Sequence, residues 1–170
     1  MTEAMTGAVA AAGPGTAMWL FGQDWTFTTV PDFGDIRAYA KALLVAARGD
    51  GVLAPEERDW VLGYIGTLTG GDRGLLRELA AYPADEDVVA LVEGSAVLSR
   101  VARVPLVFDA LRACDADGVI APGEIEQIKR LAAALGIPEE TVDRLQEAHH
   151  REKAARAARI ALVFPDGTPY

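Results

Sequence analysis

Cys114-Asp115-Ala116-Asp117-Gly118-Val119-Ile120-Ala121-Pro122-Gly123-Glu124 has a second version sixty-seven residues earlier, Ala47-Arg48-Gly49-Asp50-Gly51-Val52-Leu53-Ala54-Pro55-Glu56-Glu57. Asp-Gly-Val, a branched apolar residue, Ala-Pro and a Glu seven positions after the Asp align without a gap. Apolar residues at helical spacing flank both copies, so the repeated unit is helix, acidic turn, helix. An internal duplication of this kind fixes the fold class before any other feature is considered.

Before the first turn, Ile36, Tyr39, Ala40, Leu43, Leu44 and Ala47 share one helical face. After it, Pro55 suits the first position of a helix, and Glu56 and Glu57 complement that helix's dipole. Trp60, Val61, Tyr64, Ile65 and Leu68 form its buried stripe. Gly70-Gly71 ends it, Asp72 caps a third helix running to Tyr82, and Pro83 stops that one. Asp85-Glu86-Asp87 opens a short fourth helix. A longer helix is predicted from Ser95 to about Ala113, kinked at Pro105. The second turn leads into Pro122–Leu135, with Ile125, Ile128 and Leu131 inward, and Pro138 starts a last helix that becomes Ala-rich and basic beyond Ala148.

The ends differ from this pattern. Residues 1–17 are mainly Ala, Gly and Thr and read as a disordered N-terminus. Residues 18–30 form an aromatic arm in which Trp19, Phe21, Trp25 and Phe27 alternate in a strand-like way, with Gly22-Gln23-Asp24 as a hairpin turn. Residues 31–160 make the helical domain and 161–170 a C-terminal tail. The expected fold is all-α, a compact bundle of about seven helices with internal pseudo-two-fold duplication.

Half of the 170 residues are apolar, enough for one domain with a substantial core. The net charge of -9 argues against nucleic acid and anionic membrane surfaces, and leaves cations and basic partners as natural ligands. A single Cys fits a reducing cytoplasm. No stretch reaches the roughly 20 apolar residues that span a bilayer, and residues 1–17 lack a signal-peptide pattern. A cytoplasmic protein working through a protein partner is expected.

The acidic turns carry the chemistry visible in this sequence. An EF-hand loop needs acids at alternate positions, a Gly at the bend, an apolar residue after it and a distal Glu. Asp115, Asp117, Gly118, Ile120 and Glu124 satisfy that order, but the first ligand position falls on Ala113. The earlier copy keeps only Asp50 and Glu57, with Ala46 and Arg48 where acids are needed. The same residues also serve without metal, because an Asp-Gly turn closes two helices through the Asp side chain and a positive-φ Gly. Cys114 reads as a buried structural thiol, adjacent His149 and His150 diverge by about 100° on a helix, and Gly70–Gly74 reads as a cap. No catalytic constellation stands out.

The paired motif, Ala47-Arg48-Gly49-Asp50-Gly51 with Glu57 and Cys114-Asp115-Ala116-Asp117-Gly118 with Glu124, resembles the TerB-like family. That family is named for a tellurite-resistance protein and is also found at the head of some membrane-anchored J-domain co-chaperones. The resemblance covers roughly Pro31 to His150 and implies an all-helical, pseudosymmetric domain. It also implies weak binding of calcium or magnesium at Asp50, Glu57, Asp117 and Glu124, with Asp115 as an extra acid, in a non-catalytic accessory protein of a stress or defence system. Arg48 departs from the pattern, which favours the second turn as the metal site. The rival expectation is an enzyme, or its substrate-handling subunit, with a pocket lined by the aromatic arm and acidic residues.

Overall fold

The computed structural model describes residues 14–26, 36–49, 51–93, 95 and 102–169. Among them every regular element is helical: α1 (Pro14–Trp25), α2 (Ile36–Ala47), α3 (Pro55–Thr69), α4 (Arg73–Ala81), α5 (Val88–Glu93), α6 (Arg103–Cys114), α7 (Pro122–Ala134) and α8 (Glu139–Val163). The all-α, pseudosymmetric bundle expected from the duplication is what forms. No described helix is long and apolar enough to cross a membrane.

The duplication is preserved bond by bond. Both α2 and α6 end by a turn in which the backbone N–H of Gly51 reaches the Arg48 carbonyl at 2.8 Å and that of Gly118 reaches the Asp115 carbonyl at 3.0 Å. Gly51 has φ +96° and Gly118 φ +101°, a conformation that costs a side-chain-bearing residue energy and glycine almost nothing. Extended Ala54 and Ala121 then lead into Pro55 and Pro122, each preset for a first helical position. Ala cannot supply the hydroxyl half of a capping box. The other half is present in both copies, with Glu57 Oε2 accepting from Ala54 N–H at 2.8 Å and Glu124 Oε2 from Ala121 N–H at 2.7 Å.

The first helices of the two hairpins, α2 and α6, pack on each other at the centre, and α3, α5 and α7 also pack on α2. Tyr39, Leu43, Leu44, Leu106 and Leu111 are buried there, joined by Ile65, Leu79, Ile128 and Leu131 from the surrounding helices. Elsewhere the caps follow the sequence. Asp72 accepts from Gly74 and Leu75 N–H to start α4, and Arg58 donates to the Leu79, Ala80 and Tyr82 carbonyls at that helix's other end.

Four expectations are corrected. The aromatic arm is helix rather than hairpin: Ala17, Phe21 and Trp25 recur at i, i+4, so Ala17 and Phe21 are buried while Trp19 is 65% exposed. Aromatics two apart had imitated a strand; Phe27 lies outside the described residues. This helix starts at Pro14, within the segment read as disordered. In the second half, α6 begins at Arg103, so Pro105 occupies the first turn, where no intrahelical N–H bond is lost and no kink is required. Residues 96–101 of the expected longer helix lie outside the described residues. Finally, α8 continues to Val163, into the segment read as tail.

Gly49 marks where the halves touch. A Cβ there would lie 2.6 Å from both Glu124 Cα and the Gly123 carbonyl oxygen, which are backbone atoms that cannot swing aside. Gly49→Ala is therefore expected to destabilise by about 1–3 kcal/mol, as overpacking does, read as a lower denaturation midpoint. The buried Phe21 ring carries the attachment of α1, so Phe21→Ala is expected to cost about 3–5 kcal/mol, while Trp19→Ala stays within about 0.5 kcal/mol of wild type in the same titration.

Candidate functional site

Glu57 and Glu124 are the N3 residues of α3 and α7, and N3 points a glutamate back over its own helix start. In each hairpin that places the carboxylate beside the turn, on the side facing the other hairpin. The two meet there, Glu57 hydrogen-bonding Glu124, with side chains withdrawn from solvent. Each keeps one oxygen on its own capping N–H, so neither can turn away from the other. Burial pushes the Glu57 carboxyl up to about 8; the Ala54 N–H opposes this, while Glu124 and the more distant Asp117 reinforce it. Raised to about 8, chiefly by burial and further by the Glu124 carboxyl beside it, Glu57 keeps its proton at neutral pH.

The remaining acids of the turns take different directions. Asp117 uses Oδ1 to accept from Val119 N–H at 2.9 Å, closing its own turn, and its charge is felt at Glu57 across the interface. Asp115 faces away, toward α8, where its oxygens receive His149 Nε2 at 2.8 Å and Lys153 Nζ at 2.6 Å. Burial raises the Asp115 carboxyl, but Lys153 and His149 outweigh it and hold it below the usual range. Asp50 lies outside the described residues. Among the described residues no three His, Cys, Asp or Glu side chains converge as a metal site. The structure thus brings Glu57 and Glu124 together, sets Asp117 near them, and sends Asp115 elsewhere.

Among the described residues, Glu57 and Glu124 are the paired oxygen donors that could hold an oxygen-preferring dication, two carboxylates where such an ion takes six or more oxygens. Cys114 adds nothing to it as a ligand: burial and the nearby Glu124, Glu57 and Asp115 push its thiol well up. The sequence named both glutamates but gave them to separate turns. Their common N3 position in a duplicated hairpin was the available signal that they share a site.

A buried polar network was missed. Asp109 is fully buried in α6, accepting from Tyr39 Oη at 2.7 Å and from Arg112 Nη1 at 3.2 Å, and also contacting the Tyr64 hydroxyl. Burial raises its carboxyl against the pull of these three partners. Arg112 also reaches Asp24 of α1 at 3.1 Å and lies over the Trp60 and Tyr64 rings. An acid and a base at i, i+3 in an apolar helix were the legible sign. Beside this network, α1, α6 and α8 enclose a cleft of about 530 Å³, with Trp25, Val104, Pro105, Phe108 and Leu145 as apolar walls and Asp24, Arg112 and Glu152 as polar ones.

No protein-family model and no curated protein matches the chain. Among solved structures it is similar to a tellurite resistance protein from Nostoc punctiforme, with 33% identity, a TM-score of 0.77, and coverage of 92% of this chain and 96% of that one.

The carboxyl pair predicts a pH dependence. A group raised from 4.5 to about 8 on folding keeps its proton in the native state while the unfolded chain loses it. Its contribution is therefore complete below the unfolded value and declines as pH rises through that interval. In Glu57→Gln the amide oxygen still accepts from Ala54 and the NH₂ donates to Glu124, reproducing the protonated pair at every pH. In chelator, wild type and this variant are expected to melt together near pH 5 and to diverge toward pH 8, the variant higher. Parallel melting curves across that range would refute the shared proton.

Proposed function

This chain belongs to the TerB-like family of tellurite-resistance proteins, and from that premise we propose that it is a non-catalytic accessory module in which a weakly bound divalent cation bridges its two halves. The observation that carries the reading is the meeting of Glu57 and Glu124, two buried carboxyls aimed at each other from equivalent positions. Calcium or magnesium suits the all-oxygen donors, and Glu57 and Glu124 are the residues that would hold it, with Asp117 as a further acid of the second turn. When bound, the ion supplies positive charge where a proton otherwise sits, so its uptake releases that proton and is favoured by rising pH. The affinity expected of so few ligands is roughly 10⁻⁴ to 10⁻³ M. By analogy with the tellurite resistance protein it resembles, the module serves a stress or defence response through contact with a protein partner.

The enzyme reading has one observation in its favour, the cleft with Trp25 of the arm on its wall. Catalysis there calls for convergent acids or a His free to act. Asp24 is instead engaged by Arg112, and His149 by Asp115. These pairings favour binding over chemistry.

Calorimetry with calcium and with magnesium at pH 8 tests the proposal. Weak binding by wild type, lost in Glu57→Gln and in Glu124→Gln and retained in Asp115→Asn, is the expected pattern. Loss in Asp115→Asn with retention in Glu57→Gln would move the site to the second turn alone. An absence of heat at millimolar cation would leave only the structural turn.

A further inference from the structure

The second half of α8 is exposed. Every residue from His150 to Arg159 is solvent-exposed, and the helix then ends in an apolar tip where Leu162 is 84%, Val163 60% and Phe164 41% accessible. Single exposed apolar side chains are ordinary, but three in succession at the end of an unsupported helix form a patch that water disfavours. The same stretch is basic: residues 151–170 carry Arg151, Lys153, Arg156 and Arg159 against Glu152 and Asp166, in a chain of net charge -9.

We infer that the tip of α8, Leu162 to Phe164, docks in the α1–α6–α8 cleft of a second copy of this chain. The two surfaces match in chemistry. The cleft, at about 530 Å³, is in the range that holds a ligand-sized group, and Trp25, Val104, Phe108 and Leu145 give it apolar walls for a Leu or Phe side chain. Of the charged groups on that cleft Asp24 is paired with Arg112 and Glu152 leaves it net acidic, and Arg156 and Arg159 lie within two turns of the tip. The excess of acid over the remainder of the chain draws the basic helix toward another copy. The tip cannot fill its own cleft. Glu152 is the furthest α8 residue on the cleft wall, and the unbroken helix carries Phe164 about 18 Å beyond it along the axis. The contact is independent of the cation between Glu57 and Glu124.

The test uses two full-length variants mixed in chelator, which removes the cation from the outcome. One carries Val104→Cys at the partly exposed cleft wall, the other Phe164→Cys at the tip; the native Cys114 is buried and does not compete. A short bismaleimide is expected to give a covalent heterodimer from the mixture, above the level of either variant alone. Adding Leu162→Asp to the tip variant, at a site too exposed to disturb folding, is expected to abolish it. A mixture that stays uncoupled, or a cross-link that persists with Leu162→Asp, overturns the inference, including when the wild type sediments as a dimer through some other face.

Discussion

Two carboxyl groups buried against each other are normally unfavourable, and this fold is arranged so that they cannot separate. Glu57 and Glu124 are each held from behind by the amide at the start of their own helix, so displacing either carboxylate costs a capping bond. The backbone adds a second restraint, because Gly49 of the first turn lies directly against Gly123 and Glu124 of the second hairpin. Turn one touches the start of α7 through Gly49, and the charge of Asp117 in turn two is felt at Glu57. The α2–α6 core fixes the distance between hairpins, and burial beside Glu124 then raises the Glu57 carboxyl so that it holds its proton.

Much of the fold was legible because it rests on local chemistry. Positive-φ glycines, Pro at the first helical position, Asp72 as a cap and the i, i+4 stripes of α2 and α3 act within one or two turns, the range over which a sequence speaks for itself. The arm misled because Trp19 and Phe21, two apart, dominated the eye, whereas the small Ala17 sets the helical spacing with Phe21 and Trp25. Pro105 misled in a different way, since its effect depends entirely on where the helix begins. The site was half legible. Each glutamate is marked by the residue types before it, but their convergence is tertiary and follows only from how α2 packs on α6.

The halves keep the two glutamates and have diverged around them. Asp115 stands where the first copy has Arg48, and it ties the second turn to α8 through His149 and Lys153. Ala116 stands where the first copy has Gly49, so the close backbone approach is made from one side only. Asp109 stands opposite Ala42 in the alignment, and with Tyr39, Tyr64 and Arg112 it builds a buried polar network that fastens α1 through Asp24. The Asp115 and Asp109 changes each tie in an element outside the duplicated hairpins, whereas the Gly49 difference belongs to the contact between them.

This division has a mechanical consequence. α1 packs on α3 and is tied to α6 by the Arg112–Asp24 ion pair, while α8 packs on α6 and α7 and is tied to the end of α6 through Asp115. The turn that ends α6 also carries Asp117, whose charge bears on Glu57. The charge of Asp117 thus reaches Glu57 from the same short turn whose Asp115 holds α8. Coupling of that kind requires differential affinity for two arrangements of the turn. The exposed extension of α8 is the part of the molecule where a small change of angle at Asp115 would be largest, because displacement grows with distance along a rigid helix.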